Sequence, residues 1–285
     1  MLFRSAVPAG HRTRRRWIGA LIGVAALALP LATYVSRSRT TAPLTDMDAI
    51  VLADFANTTG ETVFDQTLRQ GLAVQLGQSP FLTIVPDDRL RRTLQLMGQP
   101  RTAALSDEDA RDACVRTGGT VMVAGSIARL GSQYVLGLRA QHCASGEWLE
   151  QDQLQAARQE DVLNVLSQLA TRFRSRVGES LATVRQHSIP LPESSTPSLE
   201  ALQAFTAAYR DFGSATAIPL LKRAVEIDPN FAIAHSELGF AYATRGQVVL
   251  GEQSIRRAYE LRDQDRKSTR LNSSHTDISR MPSSA

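Results

Sequence analysis

The sequence predicts an α/β sheet domain carrying helices, an all-α segment of helical-hairpin repeats behind it, and one N-terminal transmembrane helix. Three observations carry that prediction. Short apolar runs alternate with helix-period stretches between residues 46 and 186, a repeat of about 34 residues is visible after residue 199, and residues 17 to 35 hold no charge.

The chain has 285 residues, 43% hydrophobic and 21% charged, which suffices for two ordinary domains and is too apolar for wholesale disorder. Its formal charge is +4, but that charge sits at the ends. Residues 1 to 39 carry seven Arg and no acid, and residues 265 to 285 carry four basic residues against Asp265 and Asp277. The remainder holds 21 basic and 26 acidic residues, a net of −5. An acidic body argues against binding phosphate backbones, so no nucleic-acid partner is expected. Two cysteines exclude a disulfide-stapled miniprotein and any Cys-rich metal domain.

Trp17 to Val35 is a run of 19 residues without a charge. As a helix it spans roughly 28 Å, close to the hydrocarbon thickness of a bilayer. Trp17 and Tyr34 sit at its edges, where amphipathic rings favour the interface, and Pro30 is tolerated in such helices. The basic flank 1–16, with Arg12, Arg14, Arg15 and Arg16, outweighs Arg37 and Arg39. The positive-inside rule therefore keeps the N-terminus in the cytoplasm and sends everything after Thr40 out of it. The leading reading is a single-pass anchor with the body outside the cytoplasm, which in a bacterium means the inner membrane and a periplasmic body. A cleaved signal, for which Thr13 to Ile18 resembles a twin-arginine motif, and a buried soluble helix are the competing readings.

Both ends carry strings foreign to a natural protein. Residues 265–285, from Asp265 through His275 and again from Ser279 to Ala285, resemble translated sequencing-adapter DNA, and residues 1–5 resemble the opposite adapter. Only Lys222 and Lys267 are lysines among 32 basic residues, and Lys267 lies inside the suspect string. The resemblance implies a reading frame truncated at both ends. A natural Ser-rich tail is the alternative.

After a polar linker, 36–45, the sheet domain spans 46–186. Ala49 to Phe55 reads as a buried strand stopped by Asn57-Thr-Thr-Gly60. Phe64, Leu68, Leu72 and Leu76 recur every four residues and form a helical face. Phe81 to Val85 is a second strand ended by Pro86, and Leu90, Leu94 and Met97 begin a helix closed by Gly98 and Pro100. Ser106-Asp-Glu-Asp109 has the form of a capping box and opens the helix carrying Cys114. Val121 to Leu130 and Tyr134 to Cys143 form a hairpin about Gly131-Ser132, with Tyr134, Leu136, Leu138 and Ala140 on one face. Trp148 to Ala156 adds a third strand, and Val162, Leu166, Leu169, Phe173 and Val177 define a closing helix. Such an order hides a sheet face under helices.

The run Ile50 to Gly60, the Val-rich strand Val121 to Ser126 and the turn Ala144-Ser-Gly-Glu147 together resemble the TolB amino-terminal-like domain. Gln133 to Arg139 and Glu160 to Leu163 look closest to versions found in bacterial receptor-type Ser/Thr kinases and nucleotide cyclases. The resemblance implies a domain set between a membrane helix and tetratricopeptide repeats.

His187 to Ser198 holds Pro190, Pro192 and Pro197 and reads as a linker. Residues 199–264 follow the tetratricopeptide pattern. Leu238, Gly239, Tyr242, Gly251, Ile255 and Ala258 occupy the usual large and small positions, with Gly239 and Gly251 allowing close approach and Tyr242 and Ile255 filling the groove. The hairpin before it keeps Ala217, Leu221, Ala224 and Pro229 in Asp228-Pro-Asn230, but its first helix departs from the pattern and its Phe212-Gly-Ser214 turn is short. About three repeats are usually needed for a stable array. The segment is therefore expected to be truncated, with a two-hairpin unit docked on the sheet domain as the alternative.

No Walker loop, Gly-x-Gly-x-x-Gly loop, His-Glu-x-x-His, Gly-x-Ser-x-Gly or kinase catalytic motif occurs, so no enzyme activity, cofactor or metal is expected. His142, His187 and His235 are isolated. Asp54 with Asp65, or Asp107, Glu108, Asp109 and Asp112, could serve acid/base or cation chemistry, but the second group fits a helix N-terminus. Cys114 and Cys143 could form a disulfide, contributing on the order of 3 to 4 kcal/mol outside the cytoplasm, or remain two buried thiols. Together with the resemblance, these features imply a non-catalytic extracytoplasmic sensor or protein-interaction region of a single-pass bacterial membrane signalling protein, a fragment of a receptor-type Ser/Thr kinase or cyclase lacking its catalytic domain. The residues anchor it through 17–35 and bind protein or peptide through the repeats. A periplasmic membrane-anchored scaffold or envelope-assembly protein is the alternative.

Overall fold

The structure is a computed structural model of the 285-residue chain and describes residues 49–100, 105–210 and 214–262. The basic flank 1–16, the apolar run 17–35, the linker 36–45 and the string 265–285 lie outside the described residues. Among the described residues no helix is long and apolar enough to cross a membrane.

The first strand, β1 (Ala49–Leu52), is a continuous apolar run because it is buried on both faces. It lies between β3 (Thr83–Ile84) and β4 (Val121–Leu130) and runs parallel to both. The expected strand at 81–85 is thus reduced to two residues. β1 does not run straight on to Phe55. The register to β4 slips by one residue before β2 (Ala56–Asn57) resumes pairing at Ser126 and Ile127, as a β-bulge does. The slip throws the Phe55 ring onto Gly125, where a Cβ would sit 2.3 Å from it. Only glycine fits under that ring.

β5 (Gln133–His142) and β6 (Trp148–Ala156) extend the sheet antiparallel, giving the order β3-β1-β4-β5-β6. Tyr134, Leu136, Leu138 and Ala140 share the buried face of β5. The outward face of β6 carries Gln151, Gln153 and Gln155, all exposed. Its inward face carries Glu150 and Asp152, which meet Arg172 and Arg176. Inward charges on an edge strand oppose unwanted strand pairing.

Two helical layers cover the sheet. On one face lie α1 (Thr67–Leu76) and α4 (Val162–Arg176). On the other, α2 (Asp87–Leu96) and α3 (Asp107–Arg116) cover β1, β3 and the first half of β4. α3 starts where the Ser106 hydroxyl accepts from the Asp109 amide at 3.1 Å, the N-cap contact that the capping-box pattern requires. After α4 come the short helices α5 (Leu181–Gln186) and α6 (Leu191–Ser194), then α7 (Leu199–Arg210), α8 (Ala217–Ile227), α9 (Ala232–Ala243) and a helix over 248–262, α10. The core under α1 and α4 continues without interruption into Leu191, Leu199, Leu202, Phe205, Leu221, Phe231 and Leu238. The sheet domain and the hairpins belong to one compact unit and share the core on this face of the sheet.

Candidate functional site

The carboxyl ends of β1 and β3 are where open α/β sheets commonly bind ligands, so the charged residues there come first. Arg69 from α1 is buried and spends Nε on the Leu52 carbonyl at 3.1 Å and Nη1 on Asp87 at 3.0 Å. Asp54 accepts from the Leu105 amide at 2.8 Å and lies 3.4 Å from the same guanidinium. Burial pulls the Asp87 carboxyl upward. The hydrogen bonds and charge of Arg69, with Arg91 and Arg210 nearby, outweigh it and hold that carboxyl below its usual range. This is a closed polar lock between two strand ends, with about 10 Å³ of space among its side chains. One water fills such a volume.

Of the other carboxylate candidates, Asp65, Asp107 and Asp109 are engaged locally, while Glu108 and Asp112 lie in the first two turns of α3. Asp65 accepts from Asn57, Asp109 binds Ser106 and Gln99, and Asp107 pairs with Arg139. The His142 ring meets Ser145 at 3.2 Å, and the His187 backbone accepts from Arg174 and donates to the Thr183 carbonyl. His235 contacts the Pro229 carbonyl at 3.0 Å, and burial pushes its imidazole below the usual value. Among the described residues no three His, Cys, Asp or Glu side chains form a metal-binding group. Cys114 and Cys143 are joined as a disulfide that ties α3 to the end of β5.

The Pro-rich connector 187–198 is pinned along its length. Gln75 and Gln78 donate to the Ile189 carbonyl at 3.0 and 2.9 Å, and the Leu191 amide donates to Ser167 at 2.8 Å. Leu191 is fully buried and packs over Gly71 of α1, where a Cβ would meet its side chain at 2.8 Å. Behind it Arg174, 1% exposed and the largest fully buried side chain, donates to both oxygens of Glu179 and to the His187 carbonyl. Ser79 donates to Glu179 at 2.7 Å. Every group at this joint has a partner, as a buried charge needs.

The hairpins hang from that joint. α7 lies on α1, with Leu202 against Gly71 and the Gln203 side chain donating to the Thr62 carbonyl. In the α9–α10 hairpin a Cβ on Gly239 would meet Ile255 at 2.5 Å and the Gly251 carbonyl at 2.9 Å. The two glycines therefore set how closely these helices approach. Ala217, Leu221, Ala224, Leu238 and Ala258 are buried, Tyr242 is half-buried, Pro229 is exposed in the loop before α9, and Ile255 is 44% exposed. The exposed face of α9 and α10 borders a cavity of about 940 Å³, closed on its other side by Pro192, Glu193 and Pro197 of the connector. That groove is the candidate interaction site.

Sequence reasoning reached the glycines of the second hairpin but not the joint. Arg174 and Glu179 sit among charges that look like solvated helix residues, and Gln75 and Gln78 carry no signal. Leu191, an apolar residue between two prolines, is the one feature of the connector that could have signalled docking.

The class defined by this fold is a mixed α/β sheet domain with docked helical hairpins. No protein-family model matches the chain, and no curated protein does. Solved structures similar to part of it include the LpoB C-terminal domain from Salmonella enterica, at 15% identity and TM-score 0.38, covering 44% of this chain and 93% of that one. Lipoprotein GNA1162 from Neisseria meningitidis is similar at 13% identity and TM-score 0.34, covering 47% and 98%. TolB from Acinetobacter baumannii is similar at 13% identity and TM-score 0.32, covering 49% of this chain and 30% of TolB.

Proposed function

We propose that this chain is a non-catalytic protein-interaction region held outside the cytoplasm by the apolar run 17–35. The observation that carries the reading is the groove on α9 and α10, presented on hairpins that share one core with a disulfide-bonded sheet domain. A disulfide persists in an oxidising compartment, and the arginines before Trp17 direct the body there. The resemblance of Ile50–Gly60 and Val121–Ser126 to TolB amino-terminal-like domains of receptor kinases and cyclases supports a finer reading, in which the region senses a signal for a cytoplasmic effector. Paired topology reporters fused after Arg262 test the placement. Alkaline phosphatase should be active and green fluorescent protein dark, with no free thiol in the unreduced, denatured protein. A bright, phosphatase-inactive fusion with two free thiols would sink the reading.

A further inference from the structure

The two hairpins supply an internal standard for what covers the groove. Ala217, Leu221, Ala224 and Val225 of α8 correspond, 34 residues on, to Gly251, Ile255, Ala258 and Tyr259 of α10. In the first hairpin α7 and α9 both pack against α8, and Leu221 is 1% exposed. In the second hairpin Gly251 and Ala258 stay buried, but Ile255 and Tyr259 open onto the groove, 44% and 64% exposed. α9 carries a stripe of Ala234, Leu238 and Ala241, all buried in the core that also holds Leu221 and Ala224 of α8.

We propose that the groove binds an amphipathic α-helix of another protein that presents a small-large-small apolar stripe like that of α9. This specifies the partner class for the interaction region proposed above, and it rests on that reading. The cavity's 940 Å³ accommodates about two turns of a helix roughly 10 Å across. Ile233 and Ser236 of α9 form one wall, Ile255 and Tyr259 of α10 the other, and Glu193 and Arg262 are charged wall residues. A helix lying parallel to α9 brings its N-terminus to Asp228 and Glu193, whose charges favour that end of its dipole. An acid in its first turn meets Arg262. Recognition is then of the helix-in-groove kind, anchored at i, i+4 and i+7.

The probe is a fluorescent peptide of residues 228–245 of this chain, which carries the α9 stripe and begins at Asp228. It is titrated against the full chain in nanodiscs. Saturable binding is expected, weakened at least about tenfold by Ile233→Glu and by Tyr259→Glu, each the loss of one anchor. Both residues are more than a third exposed, so the variants should keep the wild-type circular dichroism and melting temperature. Absence of binding, equal binding of a peptide with Leu238→Glu, or binding indifferent to both variants would overturn the proposal. So would self-association of the wild type that Tyr259→Glu abolishes, which assigns the groove to a second copy. A failed titration with a correct topology result removes the helix groove and leaves the extracytoplasmic reading standing.

Discussion

The two helical hairpins share one plan and differ in what surrounds them. Along their second helices the correspondence is 34 residues, and along their first it is 33: Ala201 with Ala234, Phe205 with Leu238, Thr206 with Gly239, Ala208 with Ala241 and Tyr209 with Tyr242. The burial of these pairs matches, except that Tyr209 is more exposed than Tyr242. The first helix of the first hairpin buries the same positions, with Phe205 and Thr206 standing where the second hairpin has Leu238 and Gly239. Between the two sets of matched positions the sequence has six residues, 211–216, in the first hairpin and seven, 244–250, in the second. Where the hairpins do diverge is on their flanks. α7 lies on α1 and α8 lies under α9, whereas α10 faces the groove. The pattern within a hairpin dictates how its two helices meet, and the neighbours dictate which faces are buried.

The sharpest way to break the first hairpin's advantage is to remove its anchor. Glu179→Ala leaves the Arg174 guanidinium buried without its carboxylate and Ser79 without an acceptor. A lost partner in a buried pair costs about 3 to 5 kcal/mol. Chemical denaturation should show that loss, and a cost under about 1 kcal/mol would mean that the joint opens to water.

The next effect compares equivalent positions directly. Leu221→Ala removes a side chain that is 1% exposed and should cost about 2 to 5 kcal/mol as a cavity. Ile255→Ala, at the matching position of the second hairpin, should cost below about 1 kcal/mol because its side chain is already half in solvent. Equal costs would show that the α10 face is covered in solution and would remove the asymmetry.

Much of this architecture was legible because it rests on local signals. Leu68, Leu72 and Leu76 are buried on one face of α1, as their four-residue spacing requires, while Phe64 is buried from a 3-10 turn before the helix. The order of strands and helices from Ala49 to Arg176 follows the predicted order. What was not legible depends on partners distant in sequence. Gly71 is an unfavourable residue in mid-helix until Leu191, 120 positions away, is seen against it. Gly125 reads as a weak point in a strand until the bulge brings Phe55 over it. The connector's prolines and serines report flexibility on composition alone, yet each backbone group that α1 and α4 capture has lost it.

The smallest effect tests the joint without deleting an atom of the core. Burial raises the Glu179 carboxyl, but hydrogen bonds from Arg174 and Ser79 and the charge of Arg174 outweigh it, so its pKa lies below the ordinary 4.5. A carboxyl depressed by folding stabilises the folded state fully above its unfolded value and loses that contribution as pH falls through its folded value. Stability from this joint should therefore be flat above about pH 5 and decline on acidification. Glu179→Gln keeps the shape and removes the titration, so its acid-side decline should be shallower than that of the wild type. Denaturant midpoints at pH 3, 4, 5 and 7 for both proteins measure the difference. Parallel curves would place the acid sensitivity elsewhere, in the Asp87 lock at the strand ends, whose carboxyl is also held low by arginines. The second hairpin offers an internal control. Glu237 on α9 is pushed upward by burial, so protonation at low pH relieves a cost there while it weakens the joint. Acid should thus weaken the joint without adding a cost at Glu237.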